Sequence, residues 1–122
     1  MRPEPFTVYI VDDDESIRKA LKRLLGSVGY QALAFASAED FLAVTSGHIE
    51  GCLVLDIHLP GMSGFDLQER LNSQGNKCKI IFMTAHDNPQ WRERAMKAGD
   101  VAYLKKPFRE MSLLDAIRVA GG

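Results

Sequence analysis

The chain has 122 residues, the size of one domain, and its 46% hydrophobic and 25% charged residues are the balance of an ordinary globular protein. Fifteen Lys and Arg stand against sixteen Asp and Glu, a formal net charge of −1, which excludes the basic field of a stand-alone nucleic-acid-binding domain. No apolar stretch approaches the roughly 18 residues of a membrane span, and the opening Met1-Arg2-Pro3-Glu4-Pro5-Phe6 lacks the apolar core of a signal peptide, so a cytoplasmic protein without membrane contact is expected.

Strand and helix patterns alternate along the chain. Val8 to Val11 reads as a strand and Ser16 to Val28 as a helix, with Ile17, Leu21, Leu24, Leu25 and Val28 on one face and Gly29 as its stop. Tyr30 to Phe35 is a weaker strand. Ser37 opens a helix to about Val44, with Glu39 and Asp40 in its first turn. The apolar run from Cys52 to Leu55 is a buried strand ending in Asp56, and a helix begins near Gly64 with Phe65, Leu67 and Leu71. Lys79 to Thr84 is the fourth strand. Asn88-Pro89 starts a helix, with Pro at its first position and Gly99 after its end. Val101 to Leu104 is the fifth strand, and Phe108 to about Val119 a last helix using Met111, Leu114 and Ile117. Cys52 and Cys78 open apolar runs and read as small core residues, with no disulfide expected.

Five strands alternating with five helices imply an α/β fold, a doubly wound parallel sheet covered on both faces. Of the common strand orders, 2-1-3-4-5 suits five strands better. Such a sheet places its chemistry at the carboxyl ends of its strands. There the sequence puts Asp12-Asp13-Asp14-Glu15, Asp56, Thr84-Ala85-His86 and Lys105-Lys106-Pro107. Asp14 and Glu15 are accounted for as helix-capping and dipole residues. Asp12, Asp13 and Asp56 are not: two like charges about 4 Å apart repel by roughly 4 kcal/mol at an effective dielectric near 20. A divalent cation held by hard oxygen ligands, such as Mg2+, would offset this, and so would the Lys106 ammonium.

The segments IVDDD (10–14), LVLDIHLPGMSG (53–64), MTAH (83–86) and AMKAGDVAYLKKPF (95–108) resemble the receiver (CheY-like) domain of two-component response regulators, over nearly the whole chain from about Val8 to Val119. The likeness is greatest to FixJ-type receivers, which open transcription factors. The resemblance implies that Asp56 accepts a phosphoryl group from a sensor histidine kinase. It implies that Asp13 and Asp56 hold Mg2+ directly, or Mn2+ in its place. Asp12 would hold the ion mainly through water, and the His58 main-chain carbonyl would add a ligand. Thr84 would hydrogen-bond the phosphoryl oxygens and Lys106 pair with them. Tyr103 matches an aromatic switch position, expected to rotate inward as Thr84 vacates space, and the Lys106-Pro107 bond is usually cis in the family. The fourth helix, fifth strand and fifth helix would form a homodimer contact after phosphorylation.

His58 and His86 each lie two residues past a site residue, Asp56 and Thr84. There they would tune autodephosphorylation by gating or orienting water, with a pH dependence near neutrality; the plainer reading is two solvated loop side chains. His48 shows no partner in sequence. Trp91 shares a face with Ala95 and Ala98 and reads as core packing, while Arg92, Arg94 and Lys97 read as a solvated face. Asp100 stands where FixJ-type receivers usually carry Ala. A haloacid-dehalogenase-like phosphatase would also use a strand-end Asp, Thr, Lys and Mg2+, but needs a second Asp where this chain has His58. A flavodoxin-like cofactor site would need a Gly-rich phosphate loop where this chain has acids. The expectation is therefore a single receiver domain over 1–122, core about 7–120. It is not an enzyme, apart from self-catalysed phosphorylation and dephosphorylation. The chain ends just past the last helix, so a DNA-binding output domain would lie outside it, or the protein is a stand-alone regulator.

Overall fold

A computed structural model describes residues 6–46, 48–76, 78–86, 88–97 and 102–122. Its elements are β1 (Thr7–Val11), α1 (Glu15–Ser27), β2 (Gln31–Phe35), α2 (Ala38–Thr45), β3 (Gly51–Asp56), α3 (Gly64–Ser73), β4 (Lys79–Thr84), α4 (Pro89–Lys97), β5 (Ala102–Lys105) and α5 (Glu110–Val119). The strands form one parallel sheet in the expected order β2-β1-β3-β4-β5. Ala98, Gly99, Asp100 and Val101, to which the sequence assigns the end of α4 and the start of β5, lie outside the described residues.

Alternation along the buried strands sorts the core into two layers. On one face Tyr9, Val11, Leu53, Leu55 and Phe82 meet Phe41 of α2, Phe65, Leu67 and Leu71 of α3, and Ala95 of α4. On the other, Val8, Ile10, Val54, Ile81 and Met83 meet Leu21 and Leu25 of α1 and Leu113 and Ile117 of α5. Burial on both faces is why β3 reads as a continuous apolar run. α4 contributes just one fully buried residue, Ala95.

Helix boundaries correct part of the reading. Tyr30 does not start β2, because its N–H donates to the Leu25 carbonyl at 2.9 Å in the turn that closes α1. Val28 is the C-cap of α1 and is 50% exposed, so the apolar stripe ends at Leu25. Phe108 precedes α5, whose inward face is Leu113, Ala116 and Ile117, with Leu114 and Ala120 partly buried. Spacings of three, four and seven from Leu113 make that stripe, and Met111 falls off it, 57% exposed. Cys52 is fully buried and Cys78 partly so, and neither forms a disulfide. Burial pushes the Cys52 thiol up to about 12, which leaves it a protonated core residue.

The register brings the chemistry-bearing ends together. Val11 pairs with Leu55, so the residues that follow, Asp12 and Asp56, emerge side by side. Thr84 pairs with Lys105, and the Lys106 N–H donates to the Thr84 carbonyl at 2.7 Å. Gly64 permits α3 to start against the end of β3. A Cβ there would lie 2.6 Å from the Asp56 carbonyl oxygen and 2.9 Å from the Ile57 Cα. Gly64→Ala should therefore destabilise the fold by about 1–3 kcal/mol, the usual range for overpacking. Gly26→Ala in α1, where a Cβ meets nothing within 4 Å, should stabilise it by about 0.5–1 kcal/mol. Urea unfolding of the two variants checks both signs.

Candidate functional site

The site is built on strand ends. Asp12, fully buried, follows β1, and Asp56, 5% exposed, ends β3. Asp13 beside them is exposed. One carboxylate oxygen from each of the three lies within 4.8 Å of the others. The Lys106 ammonium bridges two of them, 2.6 Å from Asp12 Oδ2 and 3.2 Å from Asp56 Oδ2. Asp12 Oδ1 accepts the Asp14 N–H at 2.9 Å, and Asp56 Oδ1 accepts the His58 N–H at 3.0 Å. Arg18 of α1 also donates to the Asp12 carbonyl at 2.9 Å. Asp14 accepts the Ser16 N–H at 2.8 Å and so caps α1, as its position implied. The Lys106-Pro107 peptide bond is cis.

Burial pushes the Asp56 carboxyl above the usual carboxylate range. Lys106 opposes this and the neighbouring Asp12 adds to it. Burial also works against the Lys106 ammonium, yet its hydrogen bond to Asp12 and the charges of both carboxylates outweigh that and hold its pKa above the ordinary value. Three carboxylates thus face one ammonium. The donor set is all oxygen and carries surplus negative charge, a set that fits a hard divalent cation such as Mg2+.

Thr84 is fully buried. Its hydroxyl donates to the His86 carbonyl at 3.0 Å and accepts the His86 N–H at 3.1 Å, so it is turned onto its own loop. The Tyr103 ring is buried. Its hydroxyl accepts the Asn88 N–H at 3.5 Å, and the Arg92 guanidinium sits 4.8 Å over the ring. Packing, Asn88 and Arg92 thus hold the ring while Thr84 bonds its own loop.

Other side chains depart from the sequence reading. His58 and His86 are exposed but not merely solvated: their ring centroids are 5.3 Å apart, edge to face. Trp91 packs partly against the core, and its ring also meets His58, at 5.1 Å and 90°. Arg94 pairs with Glu69 of α3 and lies 4.4 Å over the Phe65 ring, whereas Lys97 makes an exposed i,i+4 pair with Glu93. His48 does have a neighbour, Glu50, at 3.4 Å, at the opposite end of the sheet. Sequence reasoning missed Glu39 of α2, whose carboxylate accepts the Met62 N–H at 3.0 Å; that bond holds its pKa below the ordinary value. Gly61 (φ +74°) lies under that carboxylate, and a Cβ there would be 2.7 Å from Glu39 Oε2.

Residues 8–118 match the family described as the response regulator receiver domain. Nodulation protein W of Bradyrhizobium diazoefficiens is 45% identical over 113 residues, 93% of this chain and 50% of that protein. The solved structure of the response regulator StyR has a TM-score of 0.87 and 46% identity, over 96% of this chain and 59% of that one. The structure titled FixJ-N has a TM-score of 0.86 and 37% identity, over 98% and 94%. The chain spans about half the length of the curated relatives it matches. No helix among the described residues is long and apolar enough to cross a membrane.

The raised Asp56 pKa predicts a pH-dependent stability. Between the ordinary carboxyl pKa, about 4, and the raised folded value, the folded state binds more protons than the unfolded one. Stability due to this group therefore falls as pH rises through that window. In metal-free protein Asp56→Asn should raise the melting temperature at pH 7, and the gain should vanish below about pH 4, where the wild-type carboxyl is also neutral. Thermal unfolding across pH 3.5–7.5 measures this, and a gain that grew on acidification would refute it.

Proposed function

As this chain belongs to the response regulator receiver domain family, we propose that it is the phospho-accepting module of a two-component signalling protein, with Asp56 as the acceptor. The observation that carries this reading is the Lys106 bridge between Asp12 and Asp56 at the end of the central strands. The sensor partner is a histidine kinase carrying a phosphohistidine. An Asp56 carboxylate oxygen attacks phosphorus, the P–N bond breaks, and the imidazole leaves with the electron pair. The product is an acyl phosphate on Asp56.

Transfer of this kind needs alignment and charge neutralisation more than covalent help. The end of β3 supplies the alignment, since the Asp56 backbone is fixed by register with Met83 and by Gly64 behind it. Lys106 stays in reach and exchanges a carboxylate oxygen for a phosphoryl oxygen. Thr84 gives up the His86 carbonyl and donates its O–H to another phosphoryl oxygen. Asp13 and Asp56, with Asp12 through water and the His58 carbonyl, would hold Mg2+ or Mn2+, which when bound neutralises charge on the phosphoryl group. His58 and His86, on the bordering loops, set how readily water reverses the modification.

The switch reaches the surface through the β4–α4 loop. Once Thr84 releases His86, that loop loses one anchor, while Tyr103 and Arg92 keep α4 tied to β5. Phosphorylation then biases the α4–β5–α5 face through the contacts that differ between the two states. In a protein of the length of its relatives, that face controls dimerisation and a DNA-binding output. This module makes no nucleic-acid contact itself. Its place is the cytoplasm, and it forms no external product.

Incubation with Mg2+ and acetyl phosphate, read by intact mass, should add one phosphoryl group to wild type and none to Asp56→Asn. Lys106→Ala should be modified much more slowly. Trp91 is the sole tryptophan and contacts His58, so Mg2+ should change its fluorescence, and Asp13→Asn should shift that titration to higher Mg2+. Equal modification of wild type and Asp56→Asn would overturn the assignment.

A further inference from the structure

Trp91 makes a contact that packing alone does not require. It projects from the first turn of α4, where Asn88 Oδ1 caps the helix by accepting the Gln90 and Trp91 N–H groups at 2.9 and 3.3 Å. Its ring meets the His58 ring edge to face, and His58 meets His86 in the same geometry. The three rings come from the β3–α3 loop, the β4–α4 loop and α4. The two imidazoles are carried on backbone that is itself bonded to the reacting groups: the His58 N–H to Asp56 Oδ1, and the His86 N–H and carbonyl to the Thr84 hydroxyl. The His58 backbone is thus one hydrogen bond from the carboxylate, and the His86 backbone one from the hydroxyl.

We propose that Trp91 is a positioning residue for the survival of the phosphoryl group on Asp56, holding His58, and His86 through it, as a cover between bulk water and the end of β3. This rests on Asp56 being the phosphoacceptor. Hydrolysis joins a water oxygen to phosphorus, breaks the P–O bond to Asp56 and returns the electron pair to the carboxylate, with the water protons passing to phosphate and solvent. The water must approach in line, from the side facing away from Asp56. The two histidine loops border that approach. An exposed imidazole on a loop would sample several rotamers, and two edge-to-face contacts restrict it to one. Trp91 is the member of the trio seated on a helix and packed against the core, so it fixes the other two.

The test uses the chain as given, phosphorylated with acetyl phosphate, purified from the donor and followed by intact mass as the phosphoryl group is lost. Trp91→Leu keeps apolar bulk but removes the aromatic edge. It should shorten the lifetime roughly three- to tenfold, the factor that a ring pair of this geometry is worth. Trp91→Phe should restore most of it, and circular dichroism checks that both variants fold. In a His58→Ala background, where the contact is already gone, Trp91→Leu should change the lifetime no further. A lifetime unchanged in Trp91→Leu, or shortened equally with and without His58, would overturn the proposal. Failure of wild type to take up any phosphoryl group would instead sink the phosphoacceptor reading, so the two failures are distinguishable.

Discussion

The Lys106 ammonium between Asp12 and Asp56 is the interaction on which the site depends. Asp12 is wholly buried, and a buried carboxylate without a partner is strongly destabilising. Both its oxygens are engaged, one by Lys106 and one by the Asp14 N–H, and its carbonyl is held by Arg18. Asp56 is less committed: its link to Lys106 is the longer of the two, and burial raises its pKa despite it. Asp13 is exposed. The gradient from Asp12 through Asp56 to Asp13 separates a fixed acid, a less committed one and an accessible one. On the proposed function, a cation or phosphoryl group would enter by trading contacts with Lys106.

That trade suits a sheet whose strands are locked and whose covering layer is not. Both faces of β3 are fully packed, but α4 seats one buried alanine and relies on rim contacts: Arg94 with Phe65 and Glu69, Arg92 with Tyr103, Trp91 with His58. An element held this way has few buried apolar contacts, the physical signature of low local stability. Tyr103 is buried against Asn88 and Arg92 while the Thr84 hydroxyl bonds its own loop. Under the proposed phosphorylation of Asp56, the Thr84 hydroxyl and the loop it holds would change contacts first, and those of α4 would follow.

The framework was readable because it rests on local patterns. Apolar runs, caps and alternation placed ten elements, and strand-end logic brought Asp12, Asp56, Thr84 and Lys106 to one edge. The residues that misled were those whose position relative to a helix end decides their exposure. Val28 continues the stripe of α1 in sequence but falls past its last turn, and Met111, in the first turn of α5, lies off the stripe made by Leu113, Ala116 and Ile117. What could not be read were side-chain contacts between elements distant in the chain. Trp91 has the spacing of a core residue, and nothing in the sequence links it to His58. The bond from Glu39 to Met62 joins a helix turn to a loop 23 positions away, and the first-turn acid already had an adequate explanation in the helix dipole.

Glu39 and Trp91 act on the same loop from opposite sides. The segment from His58 to Met62 leaves Asp56, donates the His58 N–H to the carboxylate, and enters α3 at a capping box made by Ser63 and Asp66. Glu39 holds its far end through the Met62 N–H, with Gly61 beneath the carboxylate in a left-handed backbone conformation (φ +74°) that favours glycine. Trp91 holds its near end through the His58 ring. The loop is therefore tied to α2 and α4 as well as to Asp56. On the proposed reading, the lifetime of the phosphoryl group would be tuned at such positions while Asp12, Asp13, Asp56, Thr84 and Lys106 stay fixed. Because Trp91 lies on α4, the coupling also runs in reverse: whatever binds α4 and differs in affinity between the two ring arrangements must alter the state of the loop beside Asp56 by the same free energy.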